Sequence, residues 1–269
     1  MNFAVIGENV QNSLSPRMHQ WIYHSLNLEH RYDAIDVSGN LVDSIVDKLR
    51  KGVLDGVNIT IPFKTTFIDF LDKSNQLVSN IGAINCIHSK DGILRGYNTD
   101  YYGFEKLIFS NGINLKNKKI LLIGAGGASR AISVYLANNN IYFSIINRTL
   151  ENAQSLVSET KCISYASIIS DSILESKYNV IINTLPYSVN VSEILESLDY
   201  NFKSLDYYID INYHINTQIC TKIKADKIVN GLSMLIYQGI KSNEIWMEKK
   251  IEQQIIYSKL YNFLSEDEC

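Results

Sequence analysis

Residues 56–64 read Gly-Val-Asn-Ile-Thr-Ile-Pro-Phe-Lys, and Asn58, Thr60 and Lys64 in that run could act on one ligand together. Polar and apolar residues alternate, the period of a half-buried strand with Asn58 and Thr60 on one side. Pro62 cannot donate to a sheet ladder, so the strand should stop near it and Lys64 should open the next element. An amide, a hydroxyl and an ammonium delivered to one strand end suit a small, hydroxyl-rich anion. Near the N-terminus, Asn12-Ser13-Leu14-Ser15-Pro16 precedes helical spacing, with Pro16 suited to the first turn. Ser15 is placed to be the N-cap. The other use of the Ser13 and Ser15 hydroxyls, beside a positive helix end, is to hold a carboxylate.

A second centre lies at 119–131, Lys-Ile-Leu-Leu-Ile-Gly-Ala-Gly-Gly-Ala-Ser-Arg-Ala. An apolar strand runs into Gly124-Ala125-Gly126, and helical spacing follows at once. Gly124 permits a tight turn, Gly126 lets the backbone approach a pyrophosphate, and free N–H groups at the helix start hold phosphates. Ser129 stands in the third slot, where glycine or alanine is usual. A bare G-x-G-x-x pattern is weak evidence, but in strand–turn–helix context it predicts a dinucleotide site. The next strand, 142–146, ends in Asn147-Arg148-Thr149. It offers no acid for a ribose 2′-hydroxyl, as NAD binding would need. Its guanidinium and hydroxyl fit a 2′-phosphate, which points to NADP.

The elements that must carry these residues alternate between strand and helix from end to end, the pattern of an α/β protein with mainly parallel sheets. Strands are predicted at 3–7, 31–37, 56–61, 83–88 and 93–97, and helices near 15–28 and 40–51. Ser-Lys-Asp-Gly at 89–92 predicts a hairpin between 83–88 and 93–97. A helix from about 100 to 111 follows, with Asp100 placed to cap it. Further strands fall at 119–123, 142–146, 180–183, 207–211 and 227–230, and the last forty residues read as helices near 232–246 and 248–264. A chain of 269 residues accommodates two domains, divided here into 1–101, with 240–269 packing back onto it, and 102–239.

A net charge of −3 without any basic run gives no electrostatic case for nucleic acid. No apolar stretch has the length to span a bilayer, so no membrane partner is expected. Met1-Asn2-Phe3-Ala4-Val5-Ile6-Gly7 lacks a secretory signal's charged start and cleavage site and reads as a buried strand. Cys86, Cys162, Cys220 and Cys269 are scattered, with no Cys-x-x-Cys pair and no histidine at ligand spacing. Free thiols in a cytoplasmic protein without a metal site are expected.

Ser-Leu-Ser-Pro at 13–16, Asn-Ile-Thr-Ile-Pro-Phe-Lys at 58–64, Gly-Ala-Ile-Asn at 82–85 and Tyr-Asn-Thr-Asp at 97–100 resemble the shikimate dehydrogenase family. So do Gly-Ala-Gly-Gly-Ala-Ser-Arg-Ala at 124–131, Asn-Arg-Thr at 147–149 and Asn-Gly-Leu-x-Met-x-x-x-Gln-Gly at 230–239. Order and spacing match over nearly the whole chain. The resemblance implies a two-domain α/β enzyme that reversibly reduces 3-dehydroshikimate to shikimate with NADPH, on the route to aromatic amino acids. It implies that 1–101 form a mainly parallel substrate-binding and catalytic domain, that 102–239 form a Rossmann-type, doubly wound NADP domain, and that a cleft lies between them.

By that likeness Ser13 and Ser15 bind the substrate carboxylate, and Asn58, Thr60, Asn85, Asp100 and Gln238 hold its ring hydroxyls. Lys64 and Asp100 form the catalytic pair. Gly124, Ala125, Gly126, Gly127, Ala128, Asn147, Arg148 and Thr149 bind NADP. Thr184, Tyr213, Gly231 and Met234 surround the nicotinamide, with Tyr213 also counted among the substrate contacts. The residue types agree with the chemistry. Hydride addition to a ketone builds negative charge on its oxygen. A lysine ammonium can stabilise and then protonate that oxygen, and the reverse reaction needs the same group as base.

Three loops depart from the family pattern. Gly7-Glu8-Asn9-Val10-Gln11-Asn12 lacks the Pro-Ile and the histidine common before the serines. Asn183-Thr184-Leu185-Pro186 runs into Tyr187-Ser188-Val189-Asn190 instead of a Gly-Met pair, and Tyr213 is followed by His214-Ile215 without the usual proline. The last two changes bear on cofactor affinity and turnover. Two other readings therefore stay open: a relative that prefers quinate or another polyol acid, and a catalytically weak regulator that binds NADP or shikimate. The chain's length and composition fit a monomer or a homodimer.

Overall fold

A computed structural model describes residues 1–37, 41–163, 165–168, 178–197, 205–213 and 223–265; Cys220, Cys269 and the His214-Ile215 step lie outside them. In chain order the elements are β1 (Asn2–Gly7), α1 (Ser15–Ser25), β2 (Arg31–Asp36), α2 (Val42–Arg50), β3 (Gly56–Ile59), β4 (Lys73–Ser74), α3 (Gln76–Ile81), β5 (Cys86–Lys90), β6 (Ile93–Tyr97) and α4 (Asp100–Ser110). Then come β7 (Ile120–Ile123), α5 (Gly127–Asn138), β8 (Phe143–Ile146), α6 (Leu150–Glu159), β9 (Ala166–Ile168), β10 (Val180–Asn183), α7 (Val191–Ser197), β11 (Leu205–Asp210), β12 (Ala225–Val229), α8 (Leu232–Trp246) and α9 (Gln253–Ser265). They form two compact units, Met1–Gly103 with Leu235–Cys269, and Phe104–Met234.

The first unit holds a six-stranded sheet in the order β2-β1-β3-β5-β6-β4. β1 runs parallel to β2 and β3, while β3–β5 and β5–β6 are antiparallel. The sheet is therefore mixed, because the β5–β6 hairpin folds straight back on itself. Asp91 and Gly92 make its turn with φ of 55° and 74°, the left-handed pair that a two-residue hairpin needs. On one face α2 buries Val42, Ile45, Val46 and Leu49, a helical stripe packed with Ala4, Ile6, Val57, Ile59 and Ile87.

The opposite face corrects the reading of 56–64. β3 is central and buried at all four residues, rather than half-buried. The alternation separates two covered faces: Val57 and Ile59 enter the apolar core, whereas Asn58 lies under helix α8. That helix is fixed by Trp246, whose indole Nε1 donates to the Ile87 carbonyl at 2.9 Å and whose ring stacks on Phe3 at 4.4 Å. Helix α9 then returns to α1, where the Arg17 guanidinium sits 4.4 Å from the Phe263 ring centre and donates to its carbonyl. Periodicity in a short segment cannot show that a helix some 180 residues later will cover its polar side.

The second unit is a parallel six-stranded sheet in the order β12-β11-β10-β7-β8-β9. This is the doubly wound order, and strand order reverses between β7 and β10. Ligands of such sheets bind beyond the carboxyl ends of the strands at that reversal, where the glycine loop lies.

Under α8, His19 is fully buried, stacked on Tyr32 at 4.0 Å between ring centres, with Nδ1 2.9 Å from the Asn243 amide nitrogen. Burial pushes its pKa down to about 3, only partly opposed by the Asn243 hydrogen bond. The unfolded chain, with a histidine pKa of about 6.5, takes up this proton first, so stability falls as pH drops below that value and continues to fall toward the folded pKa. Between pH 7.5 and 5 this single group should cost about 2 kcal/mol. Urea titrations at the two pH values should show a smaller difference for His19→Gln than for the wild type.

Candidate active site

Lys64 and Asp100 meet in the first unit. The Lys64 Nζ lies 2.5 Å from Asp100 Oδ2, with the two side chains 14% and 8% exposed. Lys64 comes from the turn after β3, where the Ile61–Pro62 peptide is cis, and Asp100 from the first turn of α4. The expected cap role of Asp100 belongs instead to Asn98, whose Oδ1 accepts the Tyr101 N–H at 3.2 Å. Asp100 is thereby free to face inward, where its Oδ1 accepts from Asn85 Nδ2 at 2.8 Å. Little water reaches this pair, so its electrostatic coupling is stronger than that of a surface pair.

Asn85 ties the surrounding elements together. Its Nδ2 also faces Thr99 Oγ1 at 2.9 Å and Gln238 Oε1 at 3.3 Å, and its Oδ1 accepts the Thr99 N–H at 2.6 Å. Gln238, on α8, donates through Nε2 to the Leu235 carbonyl. Asn58 stands behind this layer. It accepts from the Tyr32 hydroxyl at 2.8 Å and donates to Ser242 Oγ at 2.8 Å and to the Asn85 carbonyl at 3.1 Å. Both hydrogens of the Asn58 amide are thus taken by protein, while its Oδ1, with one donor from Tyr32, keeps a second lone pair. Thr60 is part-exposed at the strand end, its N–H bonded to the Ile6 carbonyl.

Ser15 is not the cap that its spacing suggested: Leu14 holds the N-cap position of α1, with no side-chain cap hydrogen bond. Ser13 Oγ accepts the Ser15 N–H at 3.2 Å, so Ser13 turns the chain into α1, while Ser15 is the first helical residue and is buried.

Tyr32, Thr99 and Ser242 were not singled out by the sequence. Burial pushes the Tyr32 phenol well up, and a Ser15 hydrogen bond opposes this weakly; Tyr32 therefore remains a donor to Asn58. Ser242 bonds Asn58 and its own helix at the Gln238 carbonyl, and lies 3.3 Å from Thr99 Oγ1. The available signal was its i+4 spacing from Gln238, which puts both on one helix face.

In the second unit the glycine loop joins β7 to α5. Gly124 has φ 105°, and a Cβ there would lie 2.5 Å from Thr184 Oγ1. The irregular Ser129 proves to be a strut. Its hydroxyl accepts the Gly126 N–H at 3.2 Å and meets Thr184 Oγ1 at 2.6 Å, and Thr184 donates to the Ile123 carbonyl. Space around Gly126 is open, with nothing within 4 Å of where a Cβ would stand. The first amides of α5, from Gly127 and Ala128, lack acceptors within the helix.

A cavity of about 510 Å³ lies beside this loop, lined by Gly124, Asn147, Arg148, Thr149, Leu185 and Pro186 among others. Arg148 is exposed at its rim, and Asn147 Nδ2 donates to the Thr149 carbonyl at 2.9 Å. An open backbone at a helix start, a guanidinium and a cavity at the sheet's reversal point fit a phosphorylated dinucleotide. Thr184 is in this lattice, Tyr213 and Gly231 sit at the ends of the neighbouring β11 and β12 loops, and Met234 is buried in the first turn of α8.

A sequence profile described as the shikimate dehydrogenase substrate binding domain matches residues 5–87, and one described as shikimate / quinate 5-dehydrogenase matches 106–211. The chain belongs to the shikimate dehydrogenase family. Among its relatives, shikimate dehydrogenase (NADP(+)) of Nitrosopumilus maritimus is 37% identical over 253 residues, 91% of this chain and 92% of the relative. That of Staphylococcus aureus strain bovine RF122 is 37% identical, covering 93% of each. Among solved structures, shikimate dehydrogenase from Aquifex aeolicus superposes with a TM-score of 0.82 at 28% identity, covering 97% of each chain. The Thermus thermophilus enzyme in complex with NADP(H) and shikimate gives 0.79 at 26% identity, covering 97% of this chain and 99% of that one.

In this family member the buried lattice behind Asn85 should carry measurable stability. Ser242→Ala leaves one buried Asn58 donor without its partner and should cost about 1–3 kcal/mol in denaturant unfolding.

Proposed function

We propose that this chain catalyses the reversible NADPH-dependent reduction of 3-dehydroshikimate to shikimate, with the unit built on β1–β6 binding substrate and the unit built on β7–β12 binding NADP. The observation that carries the reading is the Lys64–Asp100 contact of 2.5 Å, largely withdrawn from water and held by Asn85. Bound NADPH supplies the hydride. Lys64 stabilises the charge that develops on the ketone oxygen and delivers the proton that completes the alcohol; in reverse it accepts that proton. Asp100 fixes the Lys64 ammonium in position, and Asn85 fixes Asp100.

Ser13 and Ser15 bind the substrate carboxylate at the start of α1 in this reading, where the helix end is positive. Asn58, Thr60, Asn85, Asp100 and Gln238 hold the ring hydroxyls, and Asn58 also braces Asn85 through its carbonyl. Gly124 to Ala128 cradle the pyrophosphate, and Asn147, Arg148 and Thr149 take the adenosine 2′-phosphate. Thr184, Tyr213, Gly231 and Met234 border the nicotinamide. Reduction of 3-dehydroshikimate places the protein among biosynthetic enzymes of the cytoplasm. No helix among the described residues is long and apolar enough to cross a membrane.

The decisive assay follows nicotinamide absorbance with shikimate and with quinate, each offered NADP and NAD. Turnover of shikimate with NADP is the expected result; binding of both ligands without turnover would leave only a regulatory role. Lys64→Ala should lower kcat by about 10²–10⁴-fold, the range of general acid–base catalysis, with KM for shikimate little changed. A near-wild-type kcat would remove Lys64 from the chemistry. Arg148→Ala should weaken NADPH by about 1.5–3 kcal/mol, the worth of a hydrogen bond to a charged group, and leave NADH almost unaffected. Titrating both cofactors against wild type and variant checks this, and equal losses would refute the 2′-phosphate contact.

A further inference from the structure

Asp210 ends β11 as a buried carboxylate, 2% exposed, and the four groups that bond it come from Asn183, Tyr208 and Asn212, outside the glycine loop and Asn147–Thr149. Four donors converge on it. Asn183 Nδ2 and the Tyr208 hydroxyl reach Oδ2 at 3.0 and 3.3 Å, while the Asn212 N–H and Nδ2 reach Oδ1 at 3.0 and 2.7 Å. An ionised carboxylate is acceptor-only, with about four lone-pair sites, and these donors fill them. Its partners extend into three loops. Asn183 ends β10 and takes the Leu185 N–H on its Oδ1 at 3.1 Å; Asn212 Nδ2 donates to the Leu185 carbonyl at 2.8 Å. Onward from Asn212, its carbonyl accepts the Gly231 N–H at 2.8 Å, and Asn230 Nδ2 donates to the Tyr213 carbonyl at 3.2 Å. The loop after β12 packs so closely here that a Cβ on Gly231 would lie 1.9 Å from the Ile211 carbonyl oxygen.

We propose that Asp210 is a positioning residue for the nicotinamide end of the cofactor, its carboxylate locking the loops after β10, β11 and β12 into one frame. The inference rests on the NADP reading above. The loops it locks carry Thr184, Tyr213 and Gly231, whereas the adenosine 2′-phosphate residues Asn147–Thr149 follow β8 and have no part in the frame. A charge buried among neutral donors is costly, and an uncharged amide would be cheaper if only packing mattered. An amide fails here for a specific reason. Whichever way Asn were turned, its NH₂ would face a nitrogen that can only donate, either Asn183 Nδ2 or the two Asn212 groups.

The test compares two ligands: NADPH, and 2′,5′-ADP, which carries the adenosine 2′-phosphate but no nicotinamide. Asp210→Asn should raise the dissociation constant of NADPH at least tenfold and leave that of 2′,5′-ADP within twofold. It should also enlarge the kinetic isotope effect seen with NADPH deuterated at the transferring carbon, because a misplaced nicotinamide makes hydride transfer slower than the other steps. Asn212→Ala, which removes one strand of the frame and keeps the carboxylate, should show the same pattern more weakly and serves if Asp210→Asn does not fold. Equal weakening of both ligands, or no change in either, would overturn the role of Asp210. Wild-type protein that binds neither ligand would overturn the NADP reading and this inference with it.

Discussion

Satisfying the Asn85 side chain is the constraint on which the first unit turns. Its Nδ2 has two hydrogens, and the two nearest acceptors are Asp100 Oδ1 at 2.8 Å and Thr99 Oγ1 at 2.9 Å. Its Oδ1 accepts the Thr99 N–H at 2.6 Å. The group is 3% exposed, so an unmade hydrogen bond would not be repaired by water and would cost the full desolvation of the orphaned atom. The arrangement that satisfies Asn85 here also holds Asp100, whose other oxygen meets Lys64. A buried network of this kind is rigid when complete. Rigidity is what the proton transfer proposed for Lys64 requires.

The second unit solves a related problem at the carboxyl edge of a parallel sheet, where strands end and loops have no ladder to continue. Thr184 and Ser129 join the end of β7 to that of β10 through short hydroxyl contacts, and Asp210 with Asn183 and Asn212 joins β10 to β11. Side chains thus extend the lateral pairing of the sheet into its loops. The altered Tyr187-Ser188-Val189-Asn190 stretch lies beyond this lattice, with Tyr187 58% exposed, so the changed residues leave the lattice itself intact.

Much of the site could be read from the chain because its residues lie close together in sequence and at element boundaries that leave local marks. Pro16 and Pro62, the Asp91-Gly92 turn and Gly124-Ala125-Gly126 each dictate a local geometry, and the strands and helices they separate carry plain periodicity. Strands β4 and β9, of two and three residues, escaped notice because so few residues define no period. Helix α3 was missed as well, although Asn75 caps it through the Val78 N–H at 3.0 Å, because six residues make too little amphipathic pattern. The cap expected of Asp100 falls two residues earlier, on Asn98, and Ser15 begins its helix instead of capping it. Several neighbouring polar side chains can each reach the same backbone donor, and tertiary packing selects among them.

By itself the sequence determined an α/β chain of two βα series, the glycine loop with its guanidinium partner, and the set of polar groups suited to a hydroxylated acid. Those features are local, encoded by spacing within about ten residues, and they survive without knowledge of what packs where. Only the tertiary structure decided that Asn58 is tied to Tyr32 and Ser242, that Tyr32, Thr99 and Ser242 complete the lattice, and that Asp210 frames the loops. Each of these depends on a partner distant in sequence, from 14 residues between Asn85 and Thr99 to 184 between Asn58 and Ser242. A polar side chain's role follows from whether it is buried and what meets it there, and burial is a property of the packed molecule.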